Sequence, residues 1–195
     1  MRQDELWDGF YSTRPRAWRG NARVPDPGVR GEALDLGCGN GKTTSTLVDM
    51  GFSVTGVDFS SVAVASCSER FGDTARFATA SATDLPFGDG TFSYVTCVHI
   101  LEHLSDDELG AAVGEIRRVL VPGGYVFTRT FTDSDLRSDS RSRGDIRYVY
   151  RTVEGMVRAF AGFETVSAEL VEETTRFGAV RSRVECLFRL PVATL

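Results

Sequence analysis

Asp35-Leu36-Gly37-Cys38-Gly39-Asn40-Gly41 is the first segment of this 195-residue chain whose residue types and spacing suit it to chemistry. Three glycines within five positions let a backbone pass close to a ligand and present its amides. Asp58 and Asp84 follow downstream. A carboxylate accepts through two oxygens, which suits vicinal hydroxyls, an exocyclic amine or a cation, and three carboxylates around one loop favour a positive ligand over a phosphate. His99 and His103 are the two histidines of the chain and sit either side of Glu102. Imidazole takes and returns a proton near neutral pH, so this cluster offers a base to any acceptor that arrives protonated.

The elements around these residues place them at one end of a sheet. Ala33–Leu36 reads as a short buried strand, and the stretch from Thr43 to Met50 reads as a helix that Gly51 closes. Phe52–Val57 is a second strand, Ser60 or Ser61 caps a helix running to Phe71, and Ala75–Thr79 is a third strand. Thr91–Val98 is apolar and β-favouring throughout, as a strand covered on both faces should be. Ser105-Asp106-Asp107-Glu108 has the form of a capping box, and Leu109, Ala112, Val113, Ile116, Val119 and Leu120 then follow helical spacing. Pro122-Gly123-Gly124 is expected to end that helix before a fifth strand, Tyr125–Phe131. Val153 to Ala161 marks a last helix, and Phe163–Val171 with Arg181–Leu190 forms an antiparallel pair. Strands alternating with helices require right-handed crossovers. The fold class is therefore α/β, doubly wound, with a mostly parallel seven-stranded sheet, helices on both faces and the last strand antiparallel. Ligands of such sheets bind beyond the carboxyl ends of the strands, where strand order reverses.

Two familiar glycine loops do not fit. A P-loop needs four residues between its glycines, yet the position five before Gly41 is Leu36. The dinucleotide fingerprint G-x-G-x-x-G needs a third glycine where Lys42 stands. The segment instead resembles the first motif of class I S-adenosylmethionine-dependent methyltransferases, an acidic residue followed by G-x-G-x-G. Val54-Thr55-Gly56-Val57-Asp58, Thr83-Asp84-Leu85-Pro86-Phe87, Val98-His99-Ile100-Leu101-Glu102-His103-Leu104 and Leu120-Val121-Pro122-Gly123-Gly124 resemble the later motifs in the right order. The resemblance covers about Ala33 to Phe131 and implies a Rossmann-like sheet with S-adenosyl-L-methionine as cofactor and S-adenosyl-L-homocysteine as product. It further implies cofactor contacts from Asp35, Gly37, Cys38, Gly39, Asn40, Gly41, Asp58, Phe59, Thr83, Asp84, Leu85 and Val98. Asp58 would accept the ribose hydroxyls, Asp84 the adenine amino group, and Phe59 and Phe87 would sandwich the ring.

Methyl transfer from a sulfonium needs alignment more than a catalytic triad. His99 and His103, after the fourth strand, are the candidate bases. His99-x-x-Glu102-His103 also resembles an E-x-x-E-H metal pattern of some methyltransferases, with His in place of the first Glu, and no metal ligand set is assigned to it. The chain is read as a single domain over 1–195, with 1–31 as an N-terminal lid or substrate arm and 32–195 as the α/β core. Trp7, Phe10, Tyr11 and Trp18, interleaved with Arg14, Arg16 and Arg19, crowd that arm, while Arg137, Arg141, Arg143 and Arg147 fall in an expected mobile loop over Thr132–Arg147.

A formal charge of −5 gives no overall basic field for nucleic acid or an anionic bilayer. The four scattered cysteines read as reduced thiols, and no apolar run suits a signal or membrane span. A cytoplasmic monomer or homodimer is expected, methylating the O, N or S of a small molecule. An NAD(P)-dependent oxidoreductase and a catalytically silent S-adenosylmethionine-binding sensor or partner protein are the alternatives.

Overall fold

Side chains alternate across the strands of this sheet, and each face receives its own helices. In the computed structural model, which describes residues 2–14, 22–136, 138 and 146–192, the elements run α1 (Gln3–Thr13), β1 (Glu32–Leu36), α2 (Lys42–Asp49), β2 (Ser53–Asp58), α3 (Ser61–Phe71), β3 (Ala75–Thr79), β4 (Phe92–Val98), α4 (Asp106–Val119), β5 (Leu120–Phe131), α5 (Val153–Ala159), β6 (Glu164–Thr174) and β7 (Val180–Arg189). The seven strands lie in the order β3-β2-β1-β4-β5-β7-β6. The β1–β5 strands pair in parallel, and β7 is antiparallel to both β5 and β6. Strand order reverses between β1 and β4, so the exits of those two strands flank the crevice.

One face of the sheet buries Leu34, Leu36, Val95, Cys97, Val126, Val184, Cys186 and Phe188 against α4 and α5, through Leu109, Ile116, Met156 and Phe160. The other buries Ala33, Val54, Tyr94 and Phe127 with Leu47 of α2. The period of two along β1 thus sends Leu34 and Leu36 to the first core and Asp35 towards α2. The helical spacing read from α4 is what the fold buries: Leu109, Ala112, Val113, Ile116 and Val119 all face inward. Ser105 caps that helix, with its Oγ accepting from Glu108 N at 3.3 Å while Glu108 Oε2 accepts from Ser105 N at 2.8 Å. All four cysteines are buried free thiols.

Pro122-Gly123-Gly124 does not separate α4 from the fifth strand. The helix stops at Val119, and β5 runs through all three residues. The β4–β5 ladder shifts register between Phe92 and Tyr94, and that irregularity accommodates a proline with no N–H to contribute. The hairpin also reaches further than Val171, because β6 and β7 keep pairing to Thr174–Val180.

The N-terminal aromatic segment is helical from Gln3 to Thr13 and packs Trp7 and Tyr11 with Ala63 of α3. Asp8 fixes it there, with Oδ1 accepting from Ser60 Oγ at 2.6 Å and from Val62 N at 3.3 Å. Arg16, Trp18 and Arg19, and Arg137, Arg141 and Arg143 of the late loop, lie outside the described residues.

Ser105→Ala removes one half of the α4 capping box and leaves the core untouched. It is expected to lower unfolding stability by about 1 kcal/mol, measured as a shift of the urea midpoint at constant slope.

Candidate active site

The glycine turn leaves β1 over the end of β2, where Gly37 N and Cys38 N donate to Val57 O at 2.7 and 2.9 Å. Gly41 caps α2 at φ 76°, and a Cβ there would lie 2.5 Å from the Phe71 ring, so both backbone and space demand glycine. A Cβ on Gly39 would lie 2.6 Å from the Tyr11 hydroxyl, which places α1 directly over the turn. From the side, α3 holds the turn through Cys67 Sγ to Gly39 O at 3.2 Å and Arg70 Nη1 to Asn40 O at 2.9 Å.

Two carboxylates lock this arrangement. Asp58 Oδ2 accepts from Gly39 N at 2.9 Å and Oδ1 from Ser60 N at 3.0 Å, coupling the turn to the start of α3. Burial is the main cause that raises its pKa to about 6, with the nearby Asp8 charge adding to the rise. Asp35 lies deeper, 1% exposed, with Oδ2 accepting from Thr44 Oγ1 at 2.6 Å and Oδ1 from Thr96 Oγ1 at 3.2 Å. Burial raises its pKa to about 6 as well.

Two adjoining cavities open at the strand exits. The smaller, about 120 Å³, is walled by Asp58, Phe59, Ser81, Ala82, Thr83 and Ile100. The larger, about 600 Å³, is walled by Cys38, Gly39, Asn40, Lys42, Thr43 and Val98 on one side and by side chains of β5, β6 and β7 on the other. Gly37, His99, His103, Trp7 and Tyr11 line both.

His99 has φ 59°, alone in positive φ among the described residues other than glycine. Its amide donates to Arg129 O at 2.8 Å, its ring stacks on Phe131 with centroids 3.9 Å apart, and its Nδ1 is 3.1 Å from Glu102 Oε1. Glu102 is wholly buried and its Oε2 has no hydrogen-bond partner; desolvation raises its pKa to about 7. An ionised Glu102 accepts from Nδ1 and leaves the lone pair on Nε2, whereas a protonated Glu102 donates to Nδ1 and leaves the ring proton on Nε2. His103 is held differently. Its Nδ1 meets Arg147 O at 2.8 Å, and its ring is wedged edge-on between Trp7 and Tyr148.

The structure therefore brings Gly37, Cys38, Gly39, Asn40, Asp58, Phe59, Thr83, Val98, His99 and His103 to the cavities. Five expected contacts stand elsewhere. Asp35 and Gly41 lie under the turn and shape it. Leu85 is 4% exposed in the core, its amide donating to Glu115 Oε2 at 2.7 Å. Asp84 is exposed and lines neither cavity, because its amide turns back to Ser81 O at 3.1 Å. Phe87 also packs inward, edge-on to Phe92 at 5.0 Å, since Arg118 anchors this loop through Leu85 O, Phe87 O and Asp89. Ser81, two residues beyond β3, occupies the wall that Asp84 was expected to supply. Its hydroxyl, 2.8 Å from Thr83 Oγ1, is the polar group there, and strand-exit position, rather than the carboxylate, was the signal for it.

A parallel sheet with a glycine turn at its reversal point and an acidic residue closing the next strand defines a Rossmann-like, nucleoside-type binding fold. This chain matches, over residues 33–124, the family model described as a methyltransferase domain. It is 38% identical over 120 residues to demethylmenaquinone methyltransferase of Beutenbergia cavernae, covering 60% of this chain and 48% of that one. Over 139 residues it is 30% identical to ubiquinone biosynthesis O-methyltransferase of Caulobacter sp., covering 69% and 53%. The chain spans about half the length of the curated relatives it matches. Its fold matches an S-adenosylmethionine-dependent methyltransferase structure from Methanosarcina mazei at TM-score 0.71 and 23% identity, covering 83% of this chain and 93% of that one. It matches at 0.76 and 20% identity, covering 98% and 94%, a structure from work on converting a disulfide bond into a thioacetal group during echinomycin biosynthesis.

Asp35 gives a pH signature. A carboxyl whose folded pKa of about 6 exceeds its ordinary 3.8 holds its proton more tightly when folded, so stability falls as pH rises from about 4 to 6 and stays lower above. Asp26 and Glu115, whose pKa values their arginine partners hold near 2, act in the opposite sense only below that window. Asp35→Asn is expected to remove about 2–3 kcal/mol of the fall in denaturation free energy between pH 4 and 6. Asp58 and Glu102, raised by burial to about 6 and about 7, act in the same sense and remain in the variant, so only the Asp35 share is lost; an unchanged slope would show that Asp35 does not titrate in this range.

Proposed function

We propose that this chain transfers the methyl group of S-adenosyl-L-methionine to a small-molecule acceptor. The supporting observation is Asp58: a buried carboxylate at the exit of β2, held by Gly39 and Ser60 amides and forming the polar wall of the smaller cavity beside Phe59. Each carboxylate oxygen has two acceptor positions, so one amide on each leaves capacity for the two hydroxyls of a ribose. The residues present fit an adenosyl group. Phe59, 37% exposed, offers a ring face, Ser81 and Thr83 offer hydroxyls, and the N-terminus of α2, where Lys42 and Thr43 line the larger cavity, suits a carboxylate tail. Bound there, S-adenosylmethionine supplies a sulfonium methyl whose C–S bond breaks as the acceptor lone pair takes the carbon, leaving S-adenosyl-L-homocysteine.

His99 is the base in this reading. Glu102 and Phe131 fix its ring from below and from the side, and Nε2 receives the acceptor proton where His99 borders both cavities. His103, packed with Trp7 and Tyr148, serves as wall. Trp7 and Tyr11 carry α1 across both cavities, so the N-terminal helix acts as the cover that excludes water. The relatives' names point to one acceptor setting, quinone biosynthesis with methylation at carbon or at oxygen, and the larger cavity, about 600 Å³, is where an acceptor would enter beside His99. Among the described residues no helix is long and apolar enough to cross a membrane.

Asp58→Ala is expected to weaken S-adenosylmethionine binding by about 1–3 kcal/mol in calorimetric titration; unaltered affinity removes Asp58 from the site. With an acceptor found by screening for release of S-adenosylhomocysteine, His99→Asn should lower kcat about 100-fold or more with cofactor affinity unchanged. A variant turning over at the wild-type rate removes His99 as the base.

A further inference from the structure

The larger cavity carries a charge pattern that binding the cofactor does not need. Five cationic side chains, Arg23, Lys42, Arg129, Arg181 and Arg183, face it against two carboxylates, Glu173 and Glu185, in a chain of net charge −5. Lys42 stands by the glycine turn. The arginines of the strands stand on the far wall, and their register shows why. Arg129 pairs with Glu185 and Phe131 with Arg183 across β5–β7, while Val171 pairs with Arg183 and Glu173 with Arg181 across β6–β7. Every one of these residues occupies an odd position, so the period of two stacks them on a single face, the face that Phe127 and Leu187 share with α2.

The arginines on this wall differ in how well they are partnered. Arg129 is neutralised, its Nε donating to Glu185 Oε1 at 2.7 Å. Arg183 is not. Its side chain is 13% exposed, its Nε is buried with no hydrogen-bond partner, and its nearest carboxylate oxygen, on Glu173, is 3.7 Å from Nη1, too far for a hydrogen bond. Glu173 is shared besides with Arg23 at 3.5 Å. Burial, then the like charge of Arg129, lowers the Arg183 pKa, so the site holds its cation at a cost. In register, Arg183 stands opposite Phe131, the residue on which the His99 ring stacks.

We propose that this wall binds an anionic oxygen group, a carboxylate or a phosphate, on the methyl acceptor, with Arg183 as the principal contact and Arg181 assisting. A planar guanidinium with unused donors beside the base is suited to such a group by geometry as well as by charge. The group would anchor the acceptor's far end and leave its nucleophile at His99. The inference rests on the methyltransferase reading and names its substrate class.

The test titrates the full chain, saturated with S-adenosylhomocysteine, with benzoate, phenyl phosphate and benzamide by calorimetry. One of the two anions should bind at least about tenfold more tightly than benzamide, and which one does so separates carboxylate from phosphate. Arg183→Met should abolish that preference, Arg183→Lys should restore part of it, and both should keep S-adenosylhomocysteine affinity within about twofold. Should the Met variant fail to fold, as seen by circular dichroism, Arg181→Met at an exposed position should still reduce the preference about threefold. Equal binding of benzamide overturns the proposal, as does a preference that survives the Met substitutions. So does a tenfold loss of S-adenosylhomocysteine affinity in Arg183→Met, which would assign Arg183 to the cofactor. Failure of the wild-type chain to bind S-adenosylhomocysteine sinks the methyltransferase reading itself, and is seen before any anion is added.

Discussion

The Asp58 carboxylate, taken out of water at the end of β2, accepts one amide from the glycine turn and one from the start of α3. Two segments far apart in sequence are thereby held at one distance. The cost of burying this charge appears as a raised pKa, which the two amides partly offset. A buried carboxylate with unused lone pairs gains from further donors, so the interaction that shapes the turn also leaves the site ready for hydroxyl groups. Loss of that charge would loosen the turn as well as the ligand contact.

Everything around Asp58 limits the motion of the turn. Asp35 pins α2 and β4 together from beneath through Thr44 and Thr96, α3 holds two turn carbonyls with Cys67 and Arg70, and Tyr11 covers Gly39 from above. The cover is itself secured by the same helix, because Asp8 of α1 bonds the cap of α3. Glycine turn, α3 and α1 thus form one mechanical unit, and a displacement of α1 would act directly on the roof of both cavities.

Periodicity made the sheet readable: the helical spacing of α4 and the apolar runs of β1 and β4 each reflect burial of one side of one element. Tertiary events were less legible. Pro122-Gly123-Gly124 carries a strong stop signal, yet β5 extends through it because a register shift opposite Phe92 absorbs the irregularity. Asp84 has the residue type expected of an adenine contact, but Arg118, from a helix distant in sequence, pulls the following loop onto the core, and the shorter Ser81 is left at the wall. Glu102 looks like an ordinary polar residue in a motif until its burial under His99 is seen. The arginine wall was hidden for a related reason. Charges alternate with small or apolar residues along Arg181–Glu185, a pattern that names no partner, and only the pairing of three strands collects these residues with Arg129 and Glu173 on one side of a cavity.

On the proposed reading, that distribution of charge has a mechanistic consequence. The sulfonium of the cofactor is a cation, and methyl transfer removes its charge; a strongly positive environment next to it would favour reaction but oppose cofactor binding. The chain separates the two demands in space. Acidic groups, Asp58 and the deeper Asp35, lie on the adenosyl side of the turn, whereas the guanidinium of Arg183, held only by the distant Glu173 carboxylate, lies across the larger cavity beyond His99 and Phe131. An acceptor carrying a negative group would therefore complete the charge balance of the far wall, while its uncharged end approaches the methyl group. Because the anchoring arginine lies on β7 and the base at the exit of β4, with β5 and its Phe131 between them, the register of the sheet sets the distance across which the acceptor is oriented, and such positioning contributes to an in-line displacement.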